Sequence, residues 1–470
     1  MVKLSVLTDE DIEQIHTATL RILNETGVNL TNAEAKEALT SVGARVEDDR
    51  LFFPPDMVER EISKCPSKVK IRGREGDPVC LGDGTLHWHN LGGARDVYEP
   101  KTSQIRKATL QDVKDSAKLL DALESATTIT PFFTPQDVPG DLMSLAMYRY
   151  SIPNTTKPLQ GPGVQNGEEV KIAVDMAAVI GPPKEILSLS ISNVSPLIFP
   201  DDHVDAIIEI ARQGIAFGPL PCPIAGATAP FSLAGSIAQQ NAEVITAIIL
   251  AQVIQPGLPI IYCGRLAMME PRTGISVWGG VEMGLASAAT VQVGHRYGLP
   301  VNVYGLSTNS HVLDIQNGYE RALNAVMPAM AGADELSGIG EMAAGVTGSY
   351  AQMVCDNEIA ASVIRLRRGF SVNNHALGVE VIAEVMNSSR NFLGQKHSIE
   401  FMRAGEILFT KLAERGAWDS WDREGRIGMG ERAQAEAERL ISEHEVSSLS
   451  KKQEQELDEL MKKAAEKLII

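Results

Sequence analysis

Polar and aromatic side chains cluster where the buried strands of this chain are predicted to end, and most of the polar ones are uncharged. Trp278 and Tyr304 supply aromatic rings, whereas Arg265, His311 and Glu341 supply groups that can carry charge. The uncharged candidates are amides and one hydroxyl: Asn90, Gln160, Asn193, Thr228 and Asn309. Aromatic faces attract a quaternary ammonium group, and a guanidinium or imidazolium group binds a carboxylate. These residue types predict a binding site for a small zwitterion rather than an acid–base centre.

The sequence lacks the motifs of the common nucleophilic, phosphate-binding and metal-dependent enzymes. It contains no Gly-x-Ser-x-Gly elbow, P-loop, His-Glu-x-x-His or Cys-x-x-Cys pattern. Cys222 and Cys263 fall on neighbouring predicted strands without a histidine to complete a zinc site, so we interpret them as core thiols. His87 and His89 share one strand face, and metal binding together with Cys80 is the alternative to a pocket-lining role of His89. We therefore predict no catalytic acid, base or nucleophile within the chain and no bound metal.

Eight strands that alternate with eight helices must position these residues. Short apolar runs bounded by Gly and Pro predict the strands, which are His87–Leu91, Thr127–Phe133, Pro158–Gly161, Ile186–Asn193, Ile224–Thr228, Ile260–Cys263, Val301–Gly305 and Leu336–Gly340. The predicted helices are Leu110–Leu123, Leu142–Tyr150, Glu168–Ile180, Asp202–Gln213, Leu233–Ile254, Trp278–Tyr297, Tyr319–Ala331 and Gln352–Arg368. Eight βα units in series predict a TIM (β/α)8 barrel, an α/β fold whose active sites lie at the carboxyl ends of the strands. An open doubly wound sheet is the alternative, which the absence of Gly-x-Gly-x-x-Gly after an early strand weakens.

Strand alternation predicts which side chains point into the barrel. In the segment Ile186–Asn193 one strand face is aliphatic and the other is all serine. Because helices cover the outside of a parallel barrel, we expect the aliphatic face to point outward and the serines inward. Asn302 and Tyr304 likewise share one strand face. The barrel interior is therefore predicted to be mildly polar toward the strand ends.

Three parts of the chain follow from this interpretation. Residues 1–80 form an N-terminal helical region packed on the barrel, residues 81–370 form the barrel, and residues 371–470 form a C-terminal helical extension. The end of the chain is charged and amphipathic, with Leu457, Leu460 and Leu468 on one face of a last helix. Such a terminal hairpin docks either on its own barrel or on a second subunit.

Bulk composition narrows the class of protein. Of the 470 residues 44% are hydrophobic and 22% charged, as in a globular protein with a large core. The formal net charge of −17 argues against a nucleic-acid partner, because phosphates require a basic surface. The most apolar run, Val244–Ile254, is too short to span a bilayer and is interpreted as a buried helix. Five scattered cysteines favour a reducing cytoplasm. We expect a cytoplasmic protein that binds neither nucleic acid nor membrane.

A series of short motifs carries a resemblance to a known family. In order along the chain they are Thr26-Gly27-Val28, Leu91-Gly92-Gly93, Ser192-Asn193-Val194-Ser195-Pro196-Leu197, Gly226-Ala227-Thr228-Ala229-Pro230, Gly338-Ile339-Gly340-Glu341-Met342 and Asp356-Asn357-Glu358. By their order and spacing the chain resembles the trimethylamine methyltransferase family over essentially its whole length. The resemblance implies a TIM barrel that moves a methyl group from an amine to the cobalt of a separate corrinoid protein.

The substrate branch is indicated by a residue that this chain does not have. Founding members of the family carry pyrrolysine inside the barrel, near strand eight, which corresponds here to residues 338–346. Only standard residues occur there, so the chain resembles the members that act on quaternary amines. Overall similarity favours glycine betaine, with dimethylglycine as product; proline betaine and carnitine are the alternatives. The resemblance implies one-carbon metabolism of an anaerobe, in methanogenesis or acetogenesis.

The resemblance implies the partner, and the following roles of the site residues are our own hypothesis. Trp278 and Tyr304 would hold the ammonium group, Arg265 or His311 the carboxylate, and Glu341 would add negative charge beside the cation. No cofactor is bound permanently; a partner corrinoid protein presents cob(I)alamin at the strand-end face and leaves with methylcobalamin. A homo-oligomer is expected. Two rivals remain open: a betaine-binding barrel without catalysis, and a cobalamin-to-thiol methyltransferase that requires zinc.

Overall fold

Parallel pairing closes eight strand segments into a ring in the computed structural model, which describes residues 3–161, 163–388 and 390–468. Six segments are strands, numbered here as barrel strands 1, 4, 5, 6, 7 and 8: His87–Asn90, Ser188–Ile191, Ala216–Pro219, Tyr262–Gly264, Val301–Tyr304 and Glu335–Ile339. Barrel strands 2 and 3 are reduced to single bridges, in which Thr128 pairs with His89 and Leu159 pairs with Ile129 and Leu187. Barrel strand 8 pairs with barrel strand 1 and closes the ring. The predicted TIM barrel is confirmed.

One helix follows each barrel strand and covers the outside of the ring. These helices, numbered here as barrel helices 1 to 8, are Leu110–Ala122, Met143–Ser151, Gly167–Ala178, Asp201–Gln213, Leu233–Ile254, Val281–Arg296, Ile315–Ala331 and Tyr350–Arg368. All eight predicted helices are confirmed within a few residues. The difference that matters for the site is at barrel helix 6, which was predicted from Trp278 and begins at Val281. Gly280 caps it in an extended conformation, so Trp278 belongs to the preceding loop.

The predicted fifth barrel strand was wrong. The segment that fills this place is Ala216–Pro219, which pairs with barrel strand 4 and reaches barrel strand 6 through Phe217 and Ile260. The predicted segment 224–228 lies above the barrel, where Ile224–Ala225 pairs with Ala267–Met269 in a small separate sheet. Gly218 and Pro219 disguise the true strand, because both residue types are rare in strand interiors. A Cβ atom at Gly218 would meet Ser190 Oγ at 2.7 Å, so only glycine fits there.

The N-terminal region mixes helices with strands rather than being helical throughout. Its helices Asp9–Arg21, Ala33–Ser41 and Pro55–Ile62 all pack on barrel helix 5. Its strands, together with those inserted between barrel elements, form small sheets at the following positions: Val28–Leu30, Arg45–Glu47, Arg50–Phe52, Val69–Ile71, Val79–Leu81, Asp96–Glu99, Gln104–Lys107, Ile198–Phe199, Ser276–Val277, Glu341–Met342 and Thr347–Gly348. These elements cover barrel helix 5. This helix is long and apolar enough to span a membrane, but 89% of its most apolar 18-residue stretch is buried inside the protein.

The C-terminal region docks on the same barrel at the opposite flank. Helix Met429–Glu443 packs against barrel helices 8 and 1, and helix Lys451–Leu468 packs against barrel helices 2 and 3. Arg149, which is nearly buried, joins this last helix through Glu454 and Asp458, at 2.7 Å each. The remaining helices are short: Pro183–Ile186, Asn374–Leu377, Val379–Met386, Lys396–Arg403 and Trp418–Arg423. Docking of the terminal helices on their own barrel agrees with one of the two predicted arrangements.

Candidate functional site

A buried polar network fills the barrel below its carboxyl-terminal mouth. Glu335, at the start of barrel strand 8, accepts hydrogen bonds from Thr128 Oγ1 at 2.7 Å and Gln160 Nε2 at 3.0 Å on one carboxylate oxygen. Its other oxygen accepts from Asn302 Nδ2 at 2.5 Å, and His89 Nε2 lies 2.9 Å from the same amide. Burial lowers the pKa of His89, so its ring is neutral near pH 7. This network, which we call the floor, confirms the expected polar interior, and Gln160 belongs to it.

Arg265 lies directly above the floor and contacts the first aromatic ring of the mouth. Its guanidinium donates to the carbonyl oxygens of Gly264 and Asn302, at 3.0 Å each, and to the side-chain oxygen of Asn302. The same group stacks 4.6 Å from the centre of the Tyr304 ring. Arg265 is only 5% exposed, whereas Tyr304 is partly open to solvent. A fixed positive charge therefore lies at the inner side of Tyr304.

Trp278 completes an aromatic pair at the mouth. Its ring centre is 5.3 Å from that of Tyr304, and the two planes meet at 77° in an edge-to-face contact. Asn309 positions the loop that carries Trp278, because its side-chain oxygen accepts from the backbone N–H of Trp278 and of Gly279, at 2.7 Å each. Asn309 Nδ2 donates to the Ser276 carbonyl at 3.1 Å. The predicted pair is brought together, and Asn309 supports it from behind.

Glu341 supplies a carboxyl group at the end of barrel strand 8. One of its oxygens accepts from Ser307 Oγ at 2.5 Å and from the Thr308 N–H at 3.2 Å. Burial raises the pKa of Glu341 to about 7. The pKa of Tyr304 is also raised, by burial and then by the Glu341 charge. The following turn is tight, because Ala344 adopts a positive φ of 59° and donates its N–H to the Thr308 carbonyl at 2.8 Å. This backbone bond holds the turn, and with it the Glu341 carboxyl group, at the mouth.

A buried ion pair supports this carboxyl group from the helix layer. Arg321 on barrel helix 7 and Asp356 on barrel helix 8 are 2.9 Å apart, and both side chains are fully buried. Arg321 donates to the backbone carbonyls of Glu341 and Leu306, and Asp356 accepts from the Gly340 N–H at 2.7 Å. The pair therefore fixes the ends of barrel strands 7 and 8. Sequence reasoning quoted Asp356 as part of a motif but missed Arg321, whose partner lies 35 residues away.

The other predicted site residues lie around the mouth in supporting roles or apart from it. Asn90 uses both ends of its amide on the backbone of Thr130, at 3.1 and 2.5 Å. Thr228 Oγ1 accepts from the Ile224 N–H at 2.9 Å and shapes the turn above barrel strand 5. His311 is exposed on the loop after barrel strand 7. The structure thus brings Trp278, Tyr304, Arg265 and Glu341 together, and leaves His311 at the surface.

Glu243 is a further buried carboxyl group that sequence reasoning missed. It lies on barrel helix 5 and accepts from Ser195 Oγ at 2.8 Å and from the Leu197 N–H at 2.9 Å. Asn193 faces the same carboxyl group, whose pKa is raised by burial. Glu243 therefore holds the loop after barrel strand 4 in place. Its signal in the sequence was a lone acidic residue within an apolar helix.

The cysteines near the mouth are not reactive thiolates. Desolvation raises the pKa of the Cys222 thiol to about 11, although part of this residue is exposed. Cys263 is buried, and burial raises its pKa to about 12. Both are therefore protonated near pH 7. Within residues 3–161, 163–388 and 390–468, no group of three or more His, Cys, Asp or Glu side chains has the arrangement of a metal site.

Comparison with known proteins adds an independent result. The sequence profile of the family described as "Trimethylamine methyltransferase (MTTB)" matches residues 1–468. The chain is 30% identical to the trimethylamine methyltransferase MttB of Desulfitobacterium hafniense, over 96% of this chain and 92% of that protein. It is 29% identical to a glycine betaine methyltransferase of the same species, over 94% of this chain and 93% of that protein.

Solved structures give the same fold at lower identity. The monomethylamine methyltransferase MtmB of Methanosarcina barkeri superposes with a TM-score of 0.50 and 14% sequence identity, over 98% of this chain and 95% of that chain. The hydroxylamine complex of MtmB superposes with a TM-score of 0.51, also at 14% identity, over 93% of this chain and 94% of that chain. At this identity the similarity concerns the fold.

Proposed function

Because the chain belongs to the trimethylamine methyltransferase family and is a methyltransferase, we propose that it moves a methyl group from a quaternary amine to the Co(I) of a separate corrinoid protein. Glycine betaine is the proposed substrate, and dimethylglycine the product. A relative named glycine betaine methyltransferase, 29% identical over 94% of this chain, supports this choice. The observation that carries the proposal is the group of two aromatic rings, one guanidinium and one carboxyl around the mouth of the barrel.

The charges of the mouth fit a ligand that carries both signs. Arg265 occupies the inner side of Tyr304, so a cation has no place on that face. We assign the quaternary ammonium to the face of Trp278 and the open part of Tyr304, near Glu341. The ligand carboxylate then points toward Arg265. His311 is an alternative carboxylate partner only if its loop moves inward, since the side chain is exposed.

The proposed reaction needs no acid, base or nucleophile from the protein. The C–N bond breaks with its electron pair left on nitrogen, so the product amine leaves neutral without a proton. The electron pair of the new Co–C bond comes from Co(I). The predicted absence of a general acid or a nucleophile therefore agrees with the proposed chemistry, and the raised pKa values of Cys222 and Cys263 leave no thiolate at the mouth.

The contribution of the protein is to bind and orient the methyl donor. A desolvated aromatic ring contributes about 2 kcal/mol to binding of a quaternary ammonium group. Positive charge on the donor diminishes as the methyl group leaves, so a water-poor mouth favours the transition state. Alignment of the methyl group with the incoming cobalt supplies much of the remaining acceleration. One methyl group must therefore face outward from the Trp278 and Tyr304 rings.

The methyl acceptor must approach from the carboxyl-terminal end of the barrel. Trp278, Tyr304 and Glu341 all lie there, and the wall of barrel helices closes the sides. We therefore propose this end as the docking face of the corrinoid protein. We also propose a cytoplasmic reaction, since all five cysteines are free thiols, as is usual in a reducing compartment.

The proposal is tested by mixing the purified protein with reduced cob(I)alamin and one amine at a time. Glycine betaine, proline betaine, carnitine and trimethylamine are compared, and the cobalt spectrum reports methylcobalamin directly. Methylation with glycine betaine alone is the expected result. Methylation with another amine alone would replace the substrate and keep the reaction. Binding of a betaine by calorimetry without any methylation, also in the presence of a corrinoid protein, would contradict the proposed transfer.

A further inference from the structure

The segment that follows barrel helix 8 leaves an apolar surface uncovered. Residues 370–409, which we call the arm, contain the helices Asn374–Leu377, Val379–Met386 and Lys396–Arg403. Of the 28 large apolar side chains that are exposed in the described part of the chain, 11 belong to the arm. They are Phe370, Val372, Leu377, Val379, Ile382, Met386, Phe392, Leu393, Met402, Ile407 and Phe409. Apolar surface on this scale marks an interaction site on a soluble protein.

The central helix of the arm turns its apolar stripe outward. Val379, Ile382 and Met386 are spaced by three and four residues, so they lie on one helix face. These three side chains are 62%, 48% and 60% exposed, respectively, whereas Val385 on another face is buried. An amphipathic helix normally places such a stripe against a partner. Within the described part of the chain, no helix or strand covers this face.

The arm is a folded and anchored structure rather than a loose tail. His375, His397 and Phe401 stack on one another and join its first and third helices, with ring centres 4.5 to 5.5 Å apart. Arg365 and Arg368 on barrel helix 8 donate to backbone carbonyls of residues 404–406 and hold the base of the arm. The apolar surface is therefore presented in a defined position.

The position of the arm separates it from the mouth. Barrel helix 8 runs from the carboxyl end of the barrel toward the amino end, and the arm leaves from its last residues. A groove of about 530 Å³ continues the arm surface there, lined by Leu86, Trp88, Ile364, Ile407 and Phe409 among others. Leu86 and Trp88 lie at the start of barrel strand 1, which is the end opposite the mouth. A protein that docks at the mouth does not cover the arm.

The low net charge of the arm favours a second copy of this chain as its partner. The chain carries a net charge of −17, so two copies repel one another over most of their surface. The arm contains four acidic and three basic residues, which gives a formal net charge of −1. In the central helix, Glu380 and Glu384 do not belong to the stripe formed by Val379, Ile382 and Met386. Two copies of this helix can therefore meet stripe to stripe without bringing like charges into the contact.

We propose that the arm is the surface through which two copies of this chain associate, with the stripes of the two Val379–Met386 helices facing one another across a two-fold axis. The exposed apolar side chains of the arm together offer on the order of 1,000 Å², against about 800 Å² that a standard interface buries on each partner. Such a contact is isologous, so each copy contributes the same residues. The proposal does not depend on the substrate or on the reaction.

The test compares molar mass with and without the stripe. Sedimentation of the full chain at micromolar concentration is expected to give at least twice the mass of one chain, which is 50.7 kDa. The double variant Ile382→Asp/Leu393→Asp is expected to sediment as one chain and to keep the circular dichroism spectrum of the folded wild type. The matched double variant Ile105→Asp/Ile315→Asp alters two similarly exposed side chains outside the arm and is expected to sediment like the wild type.

Three sedimentation results would overturn the proposal. They are a wild-type chain that sediments alone at micromolar concentration, an arm variant that associates like the wild type, and equal loss of association in both double variants. If the arm variant does not fold, hydroxyl-radical oxidation of the wild type replaces it. Met386 and Met402 should oxidise severalfold more slowly at micromolar than at nanomolar concentration, and equal rates would contradict the proposal. Protection that requires an added corrinoid protein would assign the arm to that partner instead, and would also overturn it.

Discussion

At the carboxyl-terminal end of the barrel two partly exposed aromatic rings, Trp278 and Tyr304, lie over the buried charged groups of Arg265 and Glu341, whereas the arm at the amino-terminal end exposes 11 large apolar side chains. Trp278 is held at the mouth by its backbone N–H, which donates to Asn309, and Tyr304 by the guanidinium of Arg265 stacked on its ring. Glu341 is held by the Ser307 hydroxyl and by Arg321 of the pair Arg321–Asp356. In the arm, by contrast, Val385 is the one buried large apolar side chain among the described residues. The mouth residues are fixed by contacts inside the chain, whereas the apolar side chains of the arm lack a covering partner among the described residues.

The difference matches two kinds of contact that the proposals require. A methyl acceptor must arrive, react and leave, so the mouth should not bind it through a large apolar surface. A second subunit stays in place, and stable homodimer interfaces are more apolar than the rest of a protein surface. The following experiments separate the two ends, in order of decreasing expected effect.

Removal of the buried ion pair should have the largest effect. Asp356→Ala leaves Arg321 charged and buried, which typically costs about 3–5 kcal/mol in the free energy of unfolding. Urea unfolding measures this loss. Arg368→Ala at the base of the arm is the matched control, because that side chain is exposed and its loss should cost about 1 kcal/mol or less.

A double variant decides whether the ion pair or a single side chain is responsible. Replacement of both partners, in Arg321→Met/Asp356→Leu, should restore part of the stability, since no unpaired charge remains. If Asp356→Ala and Arg368→Ala lowered the free energy of unfolding equally, the contacts behind the mouth would not be stronger than those at the base of the arm.

Loss of the tryptophan ring should affect turnover and leave association intact. Trp278→Ala removes about 2 kcal/mol of cation–π stabilisation, which corresponds to a decrease of about 30-fold in kcat/KM for the betaine. The cob(I)alamin assay measures this decrease, and sedimentation should give the wild-type mass. Trp278→Phe retains a ring and should recover part of the loss. Wild-type turnover in both Trp278→Ala and Tyr304→Ala would contradict the assignment of the ammonium site.

The pH dependence of betaine binding tests Glu341. Its pKa in the empty protein is raised to about 7 by burial, and a cationic ligand favours the ionised form. Protonation therefore competes with the ligand, so affinity should rise up to about tenfold per pH unit below pH 7 and become constant above it. Calorimetry measures this affinity between about pH 5.5 and about pH 8.5, which are about 1.5 units on either side of the pKa. Repeating it in buffers of different ionisation enthalpy gives the number of protons released on binding.

The matched variant for this experiment is Glu341→Gln. It retains a side-chain oxygen for Ser307 and the Thr308 N–H but cannot ionise. Its affinity should be lower and nearly independent of pH in the same range. An unchanged pH dependence in Glu341→Gln would assign the titration to another group.

The smallest effect is expected from the arm in the catalytic assay. Ile382→Asp/Leu393→Asp should change turnover per chain with free cob(I)alamin by no more than about twofold, a difference of less than about 0.5 kcal/mol. The reason is that the arm contributes no side chain to the mouth. A loss as large as that in Trp278→Ala would mean that the two ends are coupled and would break the comparison.

The helices and the barrel could be predicted because their signals are local. Barrel helix 5 was predicted at its observed bounds, Leu233–Ile254, since an apolar run of this length has few alternatives. Barrel strand 5 could not be predicted in the same way, because Gly218 and Pro219 are typical of turns. The reason for Gly218 is the approach of Ser190 from the neighbouring strand, which only the closed barrel reveals.

The site was predictable in residue type and much less so in arrangement. Strand alternation correctly turned Asn302 inward, and the aromatic pair of Trp278 and Tyr304 was found as predicted. Glu335 was missed, because its partners lie on barrel strands 2, 3 and 7 and no spacing in the chain connects them. The same holds for Arg321, whose contacts belong to two loops and another helix.

The floor of the barrel limits how deep a ligand can lie. Both carboxylate oxygens of Glu335 and both ring nitrogens of His89 already have partners, and Arg265 covers them from above. A charged ligand thus gains no new hydrogen bond from Glu335 or His89 by moving inward. The proposed betaine would therefore rest at the level of Tyr304, where its outer end stays within reach of the proposed corrinoid acceptor. Residues that never touch the proposed ligand would thereby decide which of its methyl groups faces the acceptor.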